Sequence, residues 1–486
     1  MVMKLDNKNF QLVALGLFLL ILEFTPPPWG IPLPSWHFFV LFLVMVIAMI
    51  LEPIPATAIS LIAVIIGICA GKWMFYQDFA AGMPNEILWN DLLKWGLGGF
   101  ASPTVWLVFA AFIFALGYEV SGLGRRIALI MVRFMGRRTL TLGYAIVLSD
   151  VLLAPFTPSN TARTGGTIFP VIRNLPPLFS SLPNDPSSRK IGGYLMWMMV
   201  IGTSISSSMF ITASAPNILG VELAHKIVGV TISWSQWFLA FAPTGIILLI
   251  VSPLLSYYLY KPQISKNDEV VKWAQDELQQ LGRISANEIK LIGLVLLSLS
   301  LWVFGASLIN STVVALLAVA LMIAIGVVKW SEITAYKTAW NTLVNLATLV
   351  VMANGLTKSG FIDWFDSLVS SHLHGMSPLI ALIVLVLIFY FSHYLFASLS
   401  AHTATVLPVI LSIGKSIGGV PLDKLSLLLV LSIGIMGVLT PYATGPGVII
   451  YGCGYISSRD YWRLGCINGV LYISVLLLIT LPLLYL

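Results

Sequence analysis

The sequence predicts an all-α polytopic membrane protein, an inverted repeat of about eleven transmembrane helices plus two re-entrant hairpins. Three observations predict it. Of 486 residues, 58% are hydrophobic and 9% charged, against about 25% charged in a soluble domain. The apolar residues fall in runs of roughly 15–22 bounded by Pro, Gly and charge, the length that crosses a bilayer as helix. Two polar clusters stand at the tips of apolar runs: Thr157-Pro158-Ser159-Asn160-Thr161-Ala162-Arg163-Thr164-Gly165-Gly166 and Ser398-Leu399-Ser400-Ala401-His402-Thr403-Ala404. Polar groups persist in hydrocarbon only where protein buries them or a wet cavity faces them. The clusters therefore read as hairpin tips.

The elements follow in order. Met1 to Asn9 and the apolar Phe10 to Leu22 resemble a signal peptide, but Glu23-Phe24-Thr25-Pro26-Pro27-Pro28 replaces a small-residue cleavage site, so this is the first span. Spans follow at 36–52, 56–71 and 104–122, then a basic amphipathic arm at 124–138 suited to the membrane interface. An apolar arm at 140–155 enters the first cluster, and spans at 191–213 and 233–259 complete the half. The charged interval 261–290, whose Lys266 to Lys290 stretch reads as a solvated amphipathic linker, leads to spans at 291–307, 311–328 and 342–357. An amphipathic arm at 361–373, a second hairpin arm at 378–399 and spans at 424–440 and 464–485 end the chain.

The halves repeat. Gly117 to Gly122 matches Gly355 to Gly360 at an offset of 238, Thr161-Ala162 matches Thr403-Ala404 at 242, and Phe169-Pro170-Val171-Ile172 matches Leu407-Pro408-Val409-Ile410 at 238. Ala213-Ser214-Ala215-Pro216-Asn217 matches Ala443-Thr444-Gly445-Pro446-Gly447 at 230. With the N-terminus in the cytoplasm, all eleven arginines fall on or toward the cytoplasmic side, while Asp78, Glu86, Asp91, Lys72 and Lys94 fall opposite. This is the positive-inside asymmetry. Five spans separate equivalent points, so the second half is inverted. Paired breaks in an inverted repeat point to a secondary transporter and away from a channel.

The clusters suit an anion. Half-helix N-termini present N–H groups and a positive dipole end. Ser159, Asn160, Thr161, Ser400 and Thr403 add side-chain donors. The segments Thr212 to Asn217 (with Ser214, Pro216 and Asn217) and Thr440 to Gly447 (with Thr444 and Pro446) face them, the prolines forcing the breaks. The blander reading of such Ser, Thr and Asn residues is interhelical hydrogen bonding. Glu52 and Glu119 lie near span ends and read as surface or structural, Asp150 as a helix-pairing residue ahead of a proton carrier, and His393 as a packed histidine. Cys69, Cys453 and Cys466 have no CxxC or Cys/His metal pattern, so no metal site or cofactor is expected. HExxH, GxSxG and Walker A patterns are absent, which argues against an enzyme. The net charge of +6 concerns membrane orientation, not nucleic acid.

Ser159-Asn160-Thr161, Ala213 to Asn217 and Tyr442-Ala443-Thr444-Gly445-Pro446-Gly447 together resemble the divalent anion/sodium symporter family of di- and tricarboxylate carriers, over nearly the whole chain. Gly122-Leu123-Gly124-Arg125-Arg126 and His402-Thr403-Ala404-Thr405 are most similar to its exchangers. The resemblance implies a homodimer in the bacterial inner membrane and elevator movement of a transport domain against a scaffold. Scaffold helices with their arms would occupy 1–138 and 291–375, hairpins with transport helices 139–260 and 376–486, and a cytoplasmic linker 261–290. It implies substrate contacts from Ser159, Asn160, Thr161, Arg163, Ser214, Pro216, Asn217, Ser400, His402, Thr403, Thr444 and Pro446. The expected activity is obligate exchange of citrate for succinate or a related dicarboxylate. Sodium-coupled di/tricarboxylate symport and tartrate/succinate exchange are the alternatives.

One departure bears on coupling. Sodium-coupled members carry Ser-Asn-Thr at both tips, whereas the second tip here reads Ala401-His402-Thr403 and the first is preceded by Pro155 and Pro158. The expectation is that His402, helped by Arg163, supplies the positive charge that sodium supplies elsewhere. The alternative is that His402 only packs or hydrogen-bonds within the hairpin.

Overall fold

The computed structural model describes residues 7–51, 53–76, 85–266, 268–305, 308–370 and 377–485; Glu52, Asp78 and residues 371–373 of the second arm lie outside them. Helices are the regular elements throughout the described residues. Among the described residues, eight helical stretches are long and apolar enough to cross a membrane, and three shorter apolar helices accompany them. The molecule is a polytopic helical membrane protein.

The first half begins with α1 (Asn7–Glu23), α2 (Leu33–Leu51) and α3 (Ala56–Phe75). Next comes α4 (Asn85–Leu97), a helix the hydropathy pattern does not announce because Asn85, Glu86, Asp91 and Lys94 interrupt it. The buried helix α5 (Pro103–Ser121) leads into the amphipathic α6 (Leu123–Met135). The first hairpin comprises α7 (Thr139–Leu153), a tight turn through Pro155, a π-helical stretch Thr161–Ile168 and α8 (Phe169–Ile172). Then α9 (Gly192–Met209) and α10 (Ala215–Val228) flank a break, and α11 (Trp234–Leu259) crosses back.

The linker contains a helix, α12 (Asp268–Leu281). Val270 and Ala274 are buried, α12 packs on α6, and Arg125 pairs with Glu277 at 2.6 Å. The expected solvated linker is thus docked along one face. α13 (Ala286–Phe304) starts at a Ser285/Glu288 capping box, and Glu288 also receives the buried Arg126 at 2.6 Å, tying arm, linker and span together. α14 (Ser311–Ala324), α15 (Trp330–Ala335), α16 (Lys337–Lys358) and the amphipathic α17 (Phe361–Ser370) follow. The second hairpin is α18 (Pro378–Ser392), a turn through His393–Leu395, and α19 (Leu399–Ser416). After α20 (Leu422–Ile435), a break precedes α21 (Gly445–Gly452), and α22 (Ser458–Val475) and α23 (Leu481–Leu483) end the chain.

The halves match locally. Gly122 and Gly360, at φ +76° and +79°, end α5 and α16 in the left-handed conformation and release each arm. Pro216 and Pro446 sit in the first turns of α10 and α21, where a missing N–H costs nothing. At the tips the register is 239, not the 242 read from Thr161-Ala162 and Thr403-Ala404: Ser159 accepts from Ala162 N and Ser398 accepts from Ala401 N. Two contact groups result. One joins α2, α3, α5, α14 and α16, and the other joins the hairpins with α9, α10, α11 and α20. They meet where α10 and α19 approach α5 and α16.

Candidate functional site

A cavity of about 330 Å³ opens where the groups meet. Ser159, Asn160 and Thr161 come from the first tip, Ser400 from the second, Ser214 and Pro216 from the start of α10, and Thr444 from the start of α21. Four helix N-termini therefore converge on one space, each with outward N–H groups and the positive end of a dipole. Cavities of 440 and 510 Å³ lie elsewhere, but neither joins the two tips.

The donors are held ready. Thr444 Oγ1 accepts from Gly447 N at 3.1 Å, and Ala215 N donates to Pro158 O at 2.9 Å, locking the first tip to α10. A Cβ on Gly445 would fall 2.2 Å from Thr161 Oγ1, so the start of α21 approaches the tip as only glycine permits. Among the described residues, no hydrogen bond engages the side chains of Asn160, Thr161, Ser214 or Ser400. Their donors are free for a ligand.

Five expected contact residues lie behind this wall. Arg163 is fully buried. Its Nε donates to Asp150 Oδ1 at 2.7 Å, one terminal nitrogen to Thr157 O (2.7 Å) and Ala213 O (2.8 Å), and the other to Ser206 Oγ (3.0 Å) and Ser207 Oγ (3.1 Å). All five guanidinium N–H groups are accounted for. Asp150 also accepts from Thr164 and Ser206, which fits its helix-pairing reading. Asn217 is buried and donates to Ser207 O and Phe210 O, closing the end of α9. Thr403 is buried within α19, and Pro446 within the first turn of α21.

His402 is also fully buried. Nε2 meets Ser392 Oγ at 2.9 Å, and the ring packs against Phe389, His393 and Phe396 at 4.6–5.0 Å between centroids. These neighbours offer no counter-charge, and an unpaired buried charge is costly. The expectation of a charged His402 is therefore corrected to a packed ring, and His393 packs beside it. Arg163 is turned away from the cavity and paired with Asp150 inside the hairpin.

The sequence reading missed the facing wall: Phe112 on α5, and Thr342, Asn345 and Leu346 on α16. Its signal was a polar stripe, Asn341, Asn345 and Thr348, at helical spacing in an apolar span.

Apolar helices enclosing a polar cavity between two broken hairpins define a membrane transporter. The chain matches the family model for the sodium:sulfate symporter transmembrane region over residues 6–485. It is 66% identical over 473 residues to the citrate/succinate antiporter of Escherichia coli (strain K12), covering 97% of this chain and 96% of that protein. It is 40% identical over 478 residues to the L-tartrate/succinate antiporter of the same strain, covering 98% of each. Among solved structures, the MtrF transporter of Neisseria gonorrhoeae shares the fold, with a TM-score of 0.57 at 11% identity over 95% of this chain and 97% of that one. The chain belongs to the divalent anion/sodium symporter family.

Proposed function

We propose that this protein exchanges citrate for succinate, or a related dicarboxylate, across the bacterial inner membrane as an obligate antiporter. The 66% identity to a citrate/succinate antiporter supports the substrate pair. The observation that carries the coupling is Arg163. Sodium requires a cage of oxygens, and here Thr157 O and Ala213 O, beside the first tip, already receive a guanidinium. A tethered cation holds tip and break together and does not dissociate. Substrate carboxylates then bind to Ser159, Asn160, Thr161, Ser214, Ser400 and Thr444 at the four helix N-termini. Arg163, Asn217, His402, Thr403 and Pro446 support those residues from behind.

Movement follows the division into two groups. The hairpins with α9–α11 and α20–α22 travel as a transport domain against a scaffold of α1–α5, α13, α14 and α16, in an elevator mechanism. An emptied cavity keeps its converging positive dipole ends with no anion to meet them, which disfavours return unloaded. In this reading the chain crosses the membrane eleven times (α1, α2, α3, α5, α9, α11, α13, α14, α16, α20 and α22), with the N-terminus in the cytoplasm, as the arginine asymmetry suggests, and the second half inverted. A homodimer suits the family.

The test is uptake of radiolabelled citrate into proteoliposomes that are either empty or loaded with succinate. Uptake confined to loaded vesicles and indifferent to sodium fits the proposal. Sodium-driven uptake into empty vesicles would make the protein a symporter.

A further inference from the structure

We propose that Asn345 on α16 recognises the third carboxylate of a tricarboxylate and so sets the preference between citrate and succinate; this rests on the exchange reading above. The two tips and the starts of α10 and α21 form one side of the cavity and suit the two carboxylates that both substrates share. A tricarboxylate brings one more carboxylate, which must meet the opposite wall. That wall is Phe112, Thr342, Asn345 and Leu346. Phe112 and Leu346 have no polar side-chain atom, and the Thr342 hydroxyl donates to Thr338 O within its own helix at 2.8 Å. Asn345 is left as the wall's side chain with donors to offer.

Its amide is oriented from behind. Ser60 Oγ on α3 lies 3.2 Å from Asn345 Oδ1 and 3.1 Å from Thr57 O, so its one hydrogen is shared between these two acceptors, and Thr348 Oγ1 lies 2.8 Å from Ser60 Oγ. With Oδ1 engaged, the NH2 group remains for the ligand. The helix beneath it is fixed as well. A Cβ on Gly99 would fall 1.9 Å from Ala347 O, so the turn at 98–101 rests directly on the α16 backbone two residues from Asn345. A held donor binds without the entropy of ordering it. Its neutrality matters equally. A lysine or arginine here would be left unpaired whenever the dicarboxylate was bound, whereas an unmet amide is readily hydrated. One site then serves both partners of the exchange.

The experiment measures half-saturation for external citrate and for external succinate in succinate-loaded proteoliposomes, with the wild type, Asn345→Ala and Ser60→Ala. The loss of one hydrogen bond to a charged group predicts that Asn345→Ala raises the citrate-to-succinate ratio of half-saturation about tenfold or more. Ser60→Ala, which releases the amide without removing it, raises the ratio by less. If both half-saturations shift together, Asn345 is structural and the inference falls. It falls also if the ratio stays at the wild-type value. Wild-type vesicles that exchange neither anion would overturn the exchange reading itself.

Discussion

Arg163 and His402 occupy equivalent places in the two hairpins. Each donates its backbone N–H to the residue four earlier, Arg163 to Ser159 O at 2.9 Å and His402 to Ser398 O at 3.0 Å, and each side chain is fully buried. Their partners are equivalent too: Asp150 faces Arg163 from α7, and Phe389, 239 positions later than Asp150, faces His402 from α18. One hairpin is held by a compensated ion pair and the other by tilted and edge-to-face rings. A symmetric backbone thus carries an asymmetric core.

The ion pair makes a stability prediction. Asp150→Ala strands a buried guanidinium and should cost about 3–5 kcal/mol. Arg163→Ala strands the carboxylate in the same way. The double variant Asp150→Ala/Arg163→Ala should lose less than the sum, because neither charge is left alone. Thermal unfolding in detergent measures all three, and strictly additive losses would deny the coupling.

Ser159 and Asn160 should act on affinity. Removing either side-chain donor to a carboxylate forfeits about 1.5–3 kcal/mol, or roughly tenfold to a hundredfold in citrate half-saturation. Unfolding temperature should change little for Asn160→Ala, whose side chain engages no protein partner among the described residues. Unaltered half-saturation in both variants would move the site elsewhere.

Gly445→Ala introduces a methyl group 2.2 Å from Thr161 Oγ1. Overpacking of this kind costs about 1–3 kcal/mol and should displace the start of α21 from the tip. Exchange should fall, and Thr161→Ala in the same chain should restore part of it. Failure of the second substitution to help would place the damage outside this contact.

Much of this was legible in the sequence, for identifiable reasons. Spans appear as apolar runs because lipid tolerates little else. The breaks appear because Pro216 and Pro446 start helices that their predecessors cannot continue. The tips appear because Ser159 to Thr161 are out of place in hydrocarbon. What stayed hidden depends on direction. Nothing in the pattern says that Arg163 turns inward to Asp150 while Thr161 turns to the cavity, since both follow the same helical turn. The α16 wall was hidden because Asn345 among apolar residues also fits helix-to-helix bonding, and it does accept from Ser60. Helix α4 escaped because its charges dilute its hydropathy.

Glu222 tests the movement. On α10 it accepts from Thr104 Oγ1 at 2.7 Å, at the start of α5, and pairs with Lys226 at 3.4 Å. If the hairpin-bearing group travels, the bond to Thr104 must break. Thr104→Ala should then raise the exchange rate at saturating substrate, by up to about tenfold if that bond limits departure from this state. An unchanged rate would detach the contact from the slow step.

The most direct measurement follows entry of radiolabelled citrate and exit of differently labelled succinate in the same vesicles, in sodium and in choline media. Obligate exchange predicts that the two fluxes match one for one, stop together when internal succinate is absent, and do not depend on the cation. Citrate entry that proceeds without succinate exit and follows the sodium gradient would contradict it.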